Sequence, residues 1–394
     1  MKITFIHTAD WQIGKPFHGV EDSDKRALLR NERVDSIRRF AAIITQHKAE
    51  FILVAGDLFD SPTPTNSNVS AILGAIGNLE IPVYVISGNH DFAGPGSLWE
   101  QDFFKNEKNR LAPNLHMLLN NEPVILDKAI LFPCPLMRRH ESSDLTAWLR
   151  NIDFNQIPDN NARIVLAHGS VLDFQGTKDE DEASELASTN YIDINKLPLD
   201  QFDFVALGDW HGTKKINSKT WYAGTHEADR FGKGEDYNPG NILIVKTERG
   251  METPDVIVHK TGRIKWIETE KHISEASLLD NLEDEISINF ENRMDIGLLK
   301  LNLTGSLGLQ AQNALQDLIE RFSARLIRLK LSNKIKVDPT QEELNSLVEK
   351  NNNPLISAVA NSLFVKMQNE NVEAEMATIA LKELYLTLRN HNAL

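Results

Sequence analysis

Residues able to do metal or acid–base chemistry recur in this chain at the ends of short apolar runs. "ITFIHTAD" leads into Asp10 and Gln12, "FILVAGD" ends on Asp57, and "VYVISGNHD" delivers Asn89, His90 and Asp91. "RIVLAHG" carries His168, and "FVALGDWHG" carries Asp209 and His211. A single histidine after a strand is more often a hydrogen-bonded structural group than a ligand. Taken together these residues crowd carboxylates, which repel one another and raise their own pKa values unless cations sit among them. The pattern therefore predicts a metal centre with oxygen and imidazole donors.

The elements that must position these residues follow from the same runs. Short β-branched segments alternate with helical or turn-rich stretches, which predicts an α/β layered fold with the donors at strand C-terminal ends, where open α/β sheets place ligands. "DKRALLRNERVDSIRRFAAIITQHKAE" has Val34, Ile37, Phe40, Ala41 and Ile44 at helical spacing and is expected to form one crossover helix. "DSPTPTN" and "FAGPGS" read as loops, and the acidic run at 177–185 as a solvated one.

The style changes after residue 250. "DVIVH" and "IKWIETE" suggest a hairpin across "KTGR", followed by a helix near 275–286, a strand "GLLKLNL", a helix "QAQNALQDLIERF" and a strand "LIRLKLS". From Thr340 the chain turns helical, and "TQEE" has the form of a capping box. The expected organisation is a domain at 1–250, a small α+β module at 251–335 and a helical segment at 336–394.

At 394 residues the chain is long enough for two or three domains, and 41% apolar and 25% charged residues are those of a globular protein with an ample core. No basic-then-apolar leader and no apolar run of roughly 20 residues is present, so a cytoplasmic protein that does not span the membrane is expected. Cys134, the only cysteine, lies in the apolar "ILFPCPL" and is expected to be buried and structural. A formal net charge of −14 argues against an evenly basic nucleic-acid surface; a local basic patch or divalent cations could still recruit phosphates.

The segments "ADWQ", "GDLFD" (56–60), "GNHD" (88–91), "AHG" (167–169) and "GDWH" (208–211) resemble, in order and spacing, the signature of calcineurin-like metallophosphoesterases, D-x-H, G-D-x-x-D, G-N-H-D/E, a lone His and G-H-x-H. The resemblance covers about residues 1–245 and implies a four-layer αββα sandwich. With "HTADW", "WYAGTHEADRF" and the long second half, the chain looks most like the SbcD-type nuclease subunit of double-strand-break repair, for which 251–335 is the counterpart of a DNA-capping domain in layout.

Carried over by position, the resemblance implies two metal ions bridged by Asp57. Asp10, His211 and residue 12 would serve the first, and Asn89, His168 and residue 209 the second. His90 would stand beside the scissile phosphate and protonate the leaving oxygen, with Asp91 orienting its ring. Two such cations generate a hydroxide at neutral pH and neutralise the phosphoryl oxygens for in-line attack. The implied activity is a Mn²⁺-dependent DNA exonuclease on duplex ends and endonuclease on single strands, acting as a homodimer with an SMC-like ATPase docked on the C-terminal helices.

The chain departs from the signature twice, with Gln12 and Asp209 standing where the family has histidine. Gln12 offers a neutral amide oxygen and Asp209 a charged one, a donor set that suits Mn²⁺ or Mg²⁺ better than Zn²⁺. Two alternatives stay open: a phosphodiesterase or phosphatase of small nucleotides or phosphoproteins, and a DNA-end-binding scaffold with a weakened metal site. Lys214, Lys215 and Arg230, with Arg138, Arg139 and Lys233, are candidate backbone-phosphate contacts against a reading as scattered surface charge. His7 is expected to make a structural hydrogen bond, and Trp11 and Trp210 to pack beside the site.

Overall fold

A computed structural model describes residues 1–171, 189–232, 234, 237–348, 354–368 and 372–390. The acidic run at 177–185 and Lys233 lie outside the described residues. The chain divides into two compact units, Met1–Ile264 and Lys265–Leu394.

The first unit is built on two six-stranded sheets. Across the first sheet the order is Asp255–Lys260, Asn241–Thr247, Ile3–Thr8, Phe51–Ala55, Val83–Ile86 and Leu115–Met117, with the last four strands parallel. Across the second it is Lys214–Lys215, Thr220–Tyr222, Phe204–Gly208, Ala162–His168, Ala129–Cys134 and Val124–Ile125, again with a parallel centre.

Alternation along each strand sends side chains to both faces, so both faces need cover. Phe5, Leu53 and Ile86 of the first sheet pack on Leu131, Ile164, Leu166, Phe204 and Ala206 of the second. The opposite faces of the first sheet's strands, with Ile6, Ile52, Val54 and Val85, bury against helical Ile37, Phe40, Ile72 and Leu73. Beyond the second sheet, Phe132, Val165 and Val205 are covered by Leu149, Phe202 and Leu197, which come from loops and short 3₁₀ turns among the described residues. The sandwich expected from the resemblance is therefore present, with a thin outer layer on that side.

Two local expectations are corrected. The crossover helix is broken into Ser23–Arg38 and Phe40–His47, because the Arg39 N–H is shared between Asp35 O and Ser36 O and tightens the turn there. No hairpin forms across "KTGR": Asp255–Lys260 pairs antiparallel with Asn241–Thr247, and Lys265–Ile273 pairs parallel with Gly297–Leu307. Apolar periodicity marks both as strands and says nothing about their partners.

The second unit carries a three-stranded parallel sheet, Lys265–Ile273, Gly297–Leu307 and Arg328–Val337, joined by helices Ser277–Asn289 and Leu309–Arg325. Leu282, Ile286, Leu318 and Phe322 of those helices form its core with Leu299, Leu301 and Leu303. The capping box at 340–343 is reciprocal: Glu343 N donates to Thr340 Oγ1 at 3.2 Å and Thr340 N to Glu343 Oε2 at 2.9 Å. The same carboxylate accepts from Leu309 N and Gln310 N, at 2.9 and 2.7 Å, and so caps a second helix. Helices Gln341–Val348, Pro354–Met367 and Val372–Asn390 complete the unit around Leu347, Ala360 and Leu381. No described helix is long and apolar enough to cross a membrane.

Arg33, 1% exposed, ties the first unit together where the motif loops meet. Its guanidinium donates to Trp11 O (2.9 Å), Asp10 O (3.0 Å), Glu227 O (2.9 Å) and Thr225 Oγ1 (2.9 Å). Arg33→Met fills similar space and strands the Trp11 carbonyl and whichever of the Asp10 and Glu227 carbonyls the Thr225 hydroxyl does not serve, at about 1–3 kcal/mol for each buried group left unsatisfied. The expected outcome is a loss of at least about 3 kcal/mol, read from the urea midpoint at unchanged m-value.

Candidate metal centre

The strands of both sheets end on the same side, and their following loops are laced together. Asp10 N donates to Gly56 O (3.1 Å), Gln12 N to Asp57 O (2.9 Å) and Gly169 N to Gly208 O (3.2 Å). Four non-glycine residues here occupy the left-handed region, Asp10 at φ 53°, Gln12 at 39°, Asp57 at 54° and Asp209 at 95°. Such conformations cost energy and persist where the surroundings over-determine them, commonly at functional sites. Gly56 (φ +89°) allows the approach, since a Cβ there would lie 2.2 Å from His168 Nδ1. At Gly88 a Cβ would lie 2.1 Å from Asp57 Oδ1.

Asp10, Asp57 and His168 are all buried and offer ligand atoms within 4.8 Å of one another. His168 Nδ1–H donates to Ala55 O at 2.8 Å, which turns Nε2 toward Asn89 Oδ1 at 2.9 Å and Asp57 Oδ1 at 3.5 Å. Asp209 is linked to the group through its N–H, which donates to Asp10 Oδ1 at 3.1 Å, and its Oδ2 accepts from Ser170 Oγ at 2.6 Å.

The donor set fits a cation. Asp10 Oδ2 is buried and has no hydrogen-bond donor among the described residues, which a carboxylate tolerates poorly without a positive charge beside it. Burial, helped by Asp57 and Asp209, pushes the Asp10 carboxyl up to about 6. Burial would lower His168, but Asp57, Asp10 and Asp209 outweigh it and raise the imidazole to about 9. Asp57 stays below the ordinary range: burial opposes ionisation, and His168, His90 and the His90 N–H overcome it. Without a cation, a proton on His168 compensates the anions.

His90 and Asn89 are partly exposed, as groups that meet a ligand must be. His90 Nδ1–H donates to Asp60 O at 2.8 Å and Nε2 lies 4.0 Å from Asp57 Oδ2. Asp91 was expected to orient this ring. Its carboxylate accepts from Gly88 N (2.7 Å) and Phe59 N (3.1 Å), bracing two motif loops, and the Asp60 carbonyl orients the His90 ring. Burial and the nearby Asp57 raise the Asp91 carboxyl to about 7.

His211 Nδ1–H donates to Asp229 Oδ2 at 3.0 Å, which leaves the lone pair on Nε2 for a cation. Asp229, held ionised by Arg230, His211 and Lys15 against the cost of burial, was not singled out in the sequence, although it lies in the quoted "HEADRF". Arg33 was also missed; its signal is an arginine at helical spacing from the apolar Ile37 and Phe40.

Gln12 is 1% exposed and sits beside Asp57, its Nε2 3.4 Å from Asp57 Oδ2 and its Oε1 2.8 Å from Lys15 Nζ. Arg230 stands against Asp229 Oδ2 (3.2 Å) and His211 Nδ1 (3.2 Å) rather than at the open surface. Lys214 is half-buried, Lys215 is exposed with Nζ 5.5 Å over the Trp221 ring, and Arg138 and Arg139 are exposed. His7 makes the expected structural bond, Nε2 to Leu207 O at 3.2 Å. Trp11 is fully buried against Phe40, and Trp210 meets the Tyr237 ring edge-on at 6.0 Å. Cys134 is buried, accepts from Trp148 Nε1 at 3.3 Å, and burial pushes its thiol up to about 12.

The family model of the calcineurin-like phosphoesterases matches residues 3–237, and the chain belongs to this family. A solved crystal structure is similar over 66% of this chain and 100% of its own length, at 11% identity and a TM-score of 0.39, a likeness that says nothing about substrate. Family and donor cluster together define a metal-dependent phosphoester hydrolase.

Cation binding must displace the His168 proton, so the sign of its pH dependence is set. Below about 9 the ring is protonated, binding releases that proton, and affinity rises with pH; below about 6 Asp10 also takes a proton and affinity falls more steeply. Calorimetry with Mn²⁺ near neutral pH, in buffers of different ionisation enthalpy, is expected to show about one proton released per chain. Affinity unchanged between pH 6 and about 8.5 contradicts this assignment.

Proposed function

We propose that the chain is a Mn²⁺-dependent DNA phosphodiesterase, exonucleolytic on duplex ends and endonucleolytic on single strands, that serves DNA repair as a homodimer with an SMC-like ATPase. One observation carries the hydrolytic part: Asp10, Asp57 and His168 converge with Asn89 against His168, one Asp10 carboxylate oxygen is buried with no donor among the described residues, and the partly exposed His90 lies beside Asp57. Support for DNA comes from the resemblance of "HTADW" and "WYAGTHEADRF" to the SbcD-type nucleases, and from an α/β unit appended to a domain that would suffice for a small phosphoester. The oxygen-rich donor set favours Mn²⁺ or Mg²⁺.

Bound divalent cations supply an activated water and charge neutralisation at the phosphoryl oxygens. The chain's own residues do the rest. Asp57 and Asp10 hold the cation side of the site, and Asn89 and His168 close it from the neighbouring strands. The Asp60 carbonyl keeps the His90 proton on Nδ1 in the neutral ring, so Nε2 faces the site. In its protonated form, His90 donates from Nε2 to the leaving oxygen, while Asp91 keeps the loops that carry Asp57 and His90 in register.

Purified protein with Mn²⁺ is expected to release nucleotides from linear duplex DNA and to nick single-stranded and hairpin DNA. His90→Ala is expected to lower that rate roughly 10²–10⁴-fold, the range for loss of a positioned proton donor, with metal content unchanged. Cleavage of bis-para-nitrophenyl phosphate without cleavage or binding of DNA would transfer the reading to small phosphodiesters. Intact DNA in the presence of both Mn²⁺ and an SMC-like ATPase would favour a scaffold.

A further inference from the structure

We propose that Lys15 disables position 12 as a metal ligand, so that the chain tightly holds one divalent cation, on the side of Asp57 that faces Asn89 and His168. The inference rests on the phosphoesterase reading of the site and concerns how many cations that site holds.

The argument begins with Gln12, whose amide has one accepting and one donating end. Lys15 Nζ is 2.8 Å from one of these atoms. An ammonium carries only donors, so the atom facing it must be the oxygen. The other end, the NH₂, is thereby turned to Asp57 Oδ2 at 3.4 Å, where it acts as a donor to the bridging carboxylate. An amide nitrogen in that role cannot ligate a cation. The residue at the histidine position of the signature thus hydrogen-bonds to Asp57 in place of binding metal beside it.

The arrangement is held from several directions. The Lys15 N–H donates to Gln12 O at 3.2 Å, forming the turn that folds the lysine back over the glutamine. The ammonium also lies 3.1 Å from Asp229 Oδ2 and 3.6 Å from Asp60 Oδ1. Asp229 in turn accepts from His211 at 3.0 Å, so Lys15 supplies positive charge to the layer directly behind the first metal position. Gln12 is 1% exposed, which denies the amide room to exchange its two ends through water.

The two departures from the family signature are therefore unequal. Asp209 keeps a carboxylate whose oxygens no lysine claims, tied to Asp10 through its own N–H and to Ser170 through Oδ2. Gln12 has its oxygen committed to an internal cation.

The test counts metal directly. Full-length protein equilibrated with Mn²⁺ and passed through a desalting column is expected to retain about one ion per chain by elemental analysis, and its electron paramagnetic resonance spectrum to be that of an isolated Mn²⁺. Gln12→His is expected to raise retention to about two and to give an exchange-coupled spectrum. Lys15→Met, which releases the amide oxygen, is expected to strengthen the second ion at least roughly tenfold in titration while its folding transition stays cooperative. Two tightly held ions in the unaltered protein, or a second ion no stronger in both variants, overturns the inference and leaves the phosphoesterase reading standing. One ion with no phosphodiester cleavage of any kind defeats that reading and leaves the inference standing.

Discussion

Everything in the first unit is arranged around one electrostatic conflict, the burial of Asp10 and Asp57 side by side with Asp209 close enough to act on them. Carboxylates do not share a dry site unless something positive joins them. In the protein alone, that charge is a proton held on His168 well above the ordinary imidazole range, together with Asp10's own reluctance to ionise. A divalent cation resolves the same conflict more completely and accounts for the Asp10 oxygen that no described donor reaches. The fold thus imposes a demand for positive charge at this site, and hydrolysis of a phosphoester is the chemistry that a cation held there supports.

Holding the conflict in place is the work of the two sheets. Their parallel strands end together, the loops cross-link through Asp10 N, Gln12 N and the Asp91 carboxylate, and glycines at 56 and 88 let side chain and backbone approach to distances that any Cβ would forbid. Arg33 secures the far side by binding the carbonyls of Asp10, Trp11 and Glu227 from a helix. Four residues in left-handed backbone conformations are the local cost of this convergence, spread over loops that have large packed sheets behind them.

Much of this was legible in the sequence because metal donors come from few residue types and strands announce themselves by apolar runs. Asp10, Asp57, Asn89, His168 and the position of His90 follow from that alone. The unread parts depend on geometry that residue type does not carry. Asp91 reads as an acid beside His90, and only the fold shows its carboxylate accepting from two backbone N–H groups and the Asp60 carbonyl accepting from His90 Nδ1. Lys15 and Asp229 meet only after the loops fold, and a lysine three residues past a glutamine gives no hint that it fixes which end of the amide faces the site. The "DVIVH" strand was visible, but its partner was not, since register and pairing are decided by neighbours distant in the chain.

The central claim, that a cation relieves the buried Asp10–Asp57–His168 conflict, is tested most directly by thermal unfolding with and without Mn²⁺. A ligand at roughly a hundredfold its dissociation constant adds about 2.7 kcal/mol of stability. The account predicts a saturable rise in Tm of at least roughly 5 °C with Mn²⁺, reversed by chelator and absent in Asp57→Asn. An unchanged Tm in the unaltered protein, or the same rise in Asp57→Asn, would contradict it.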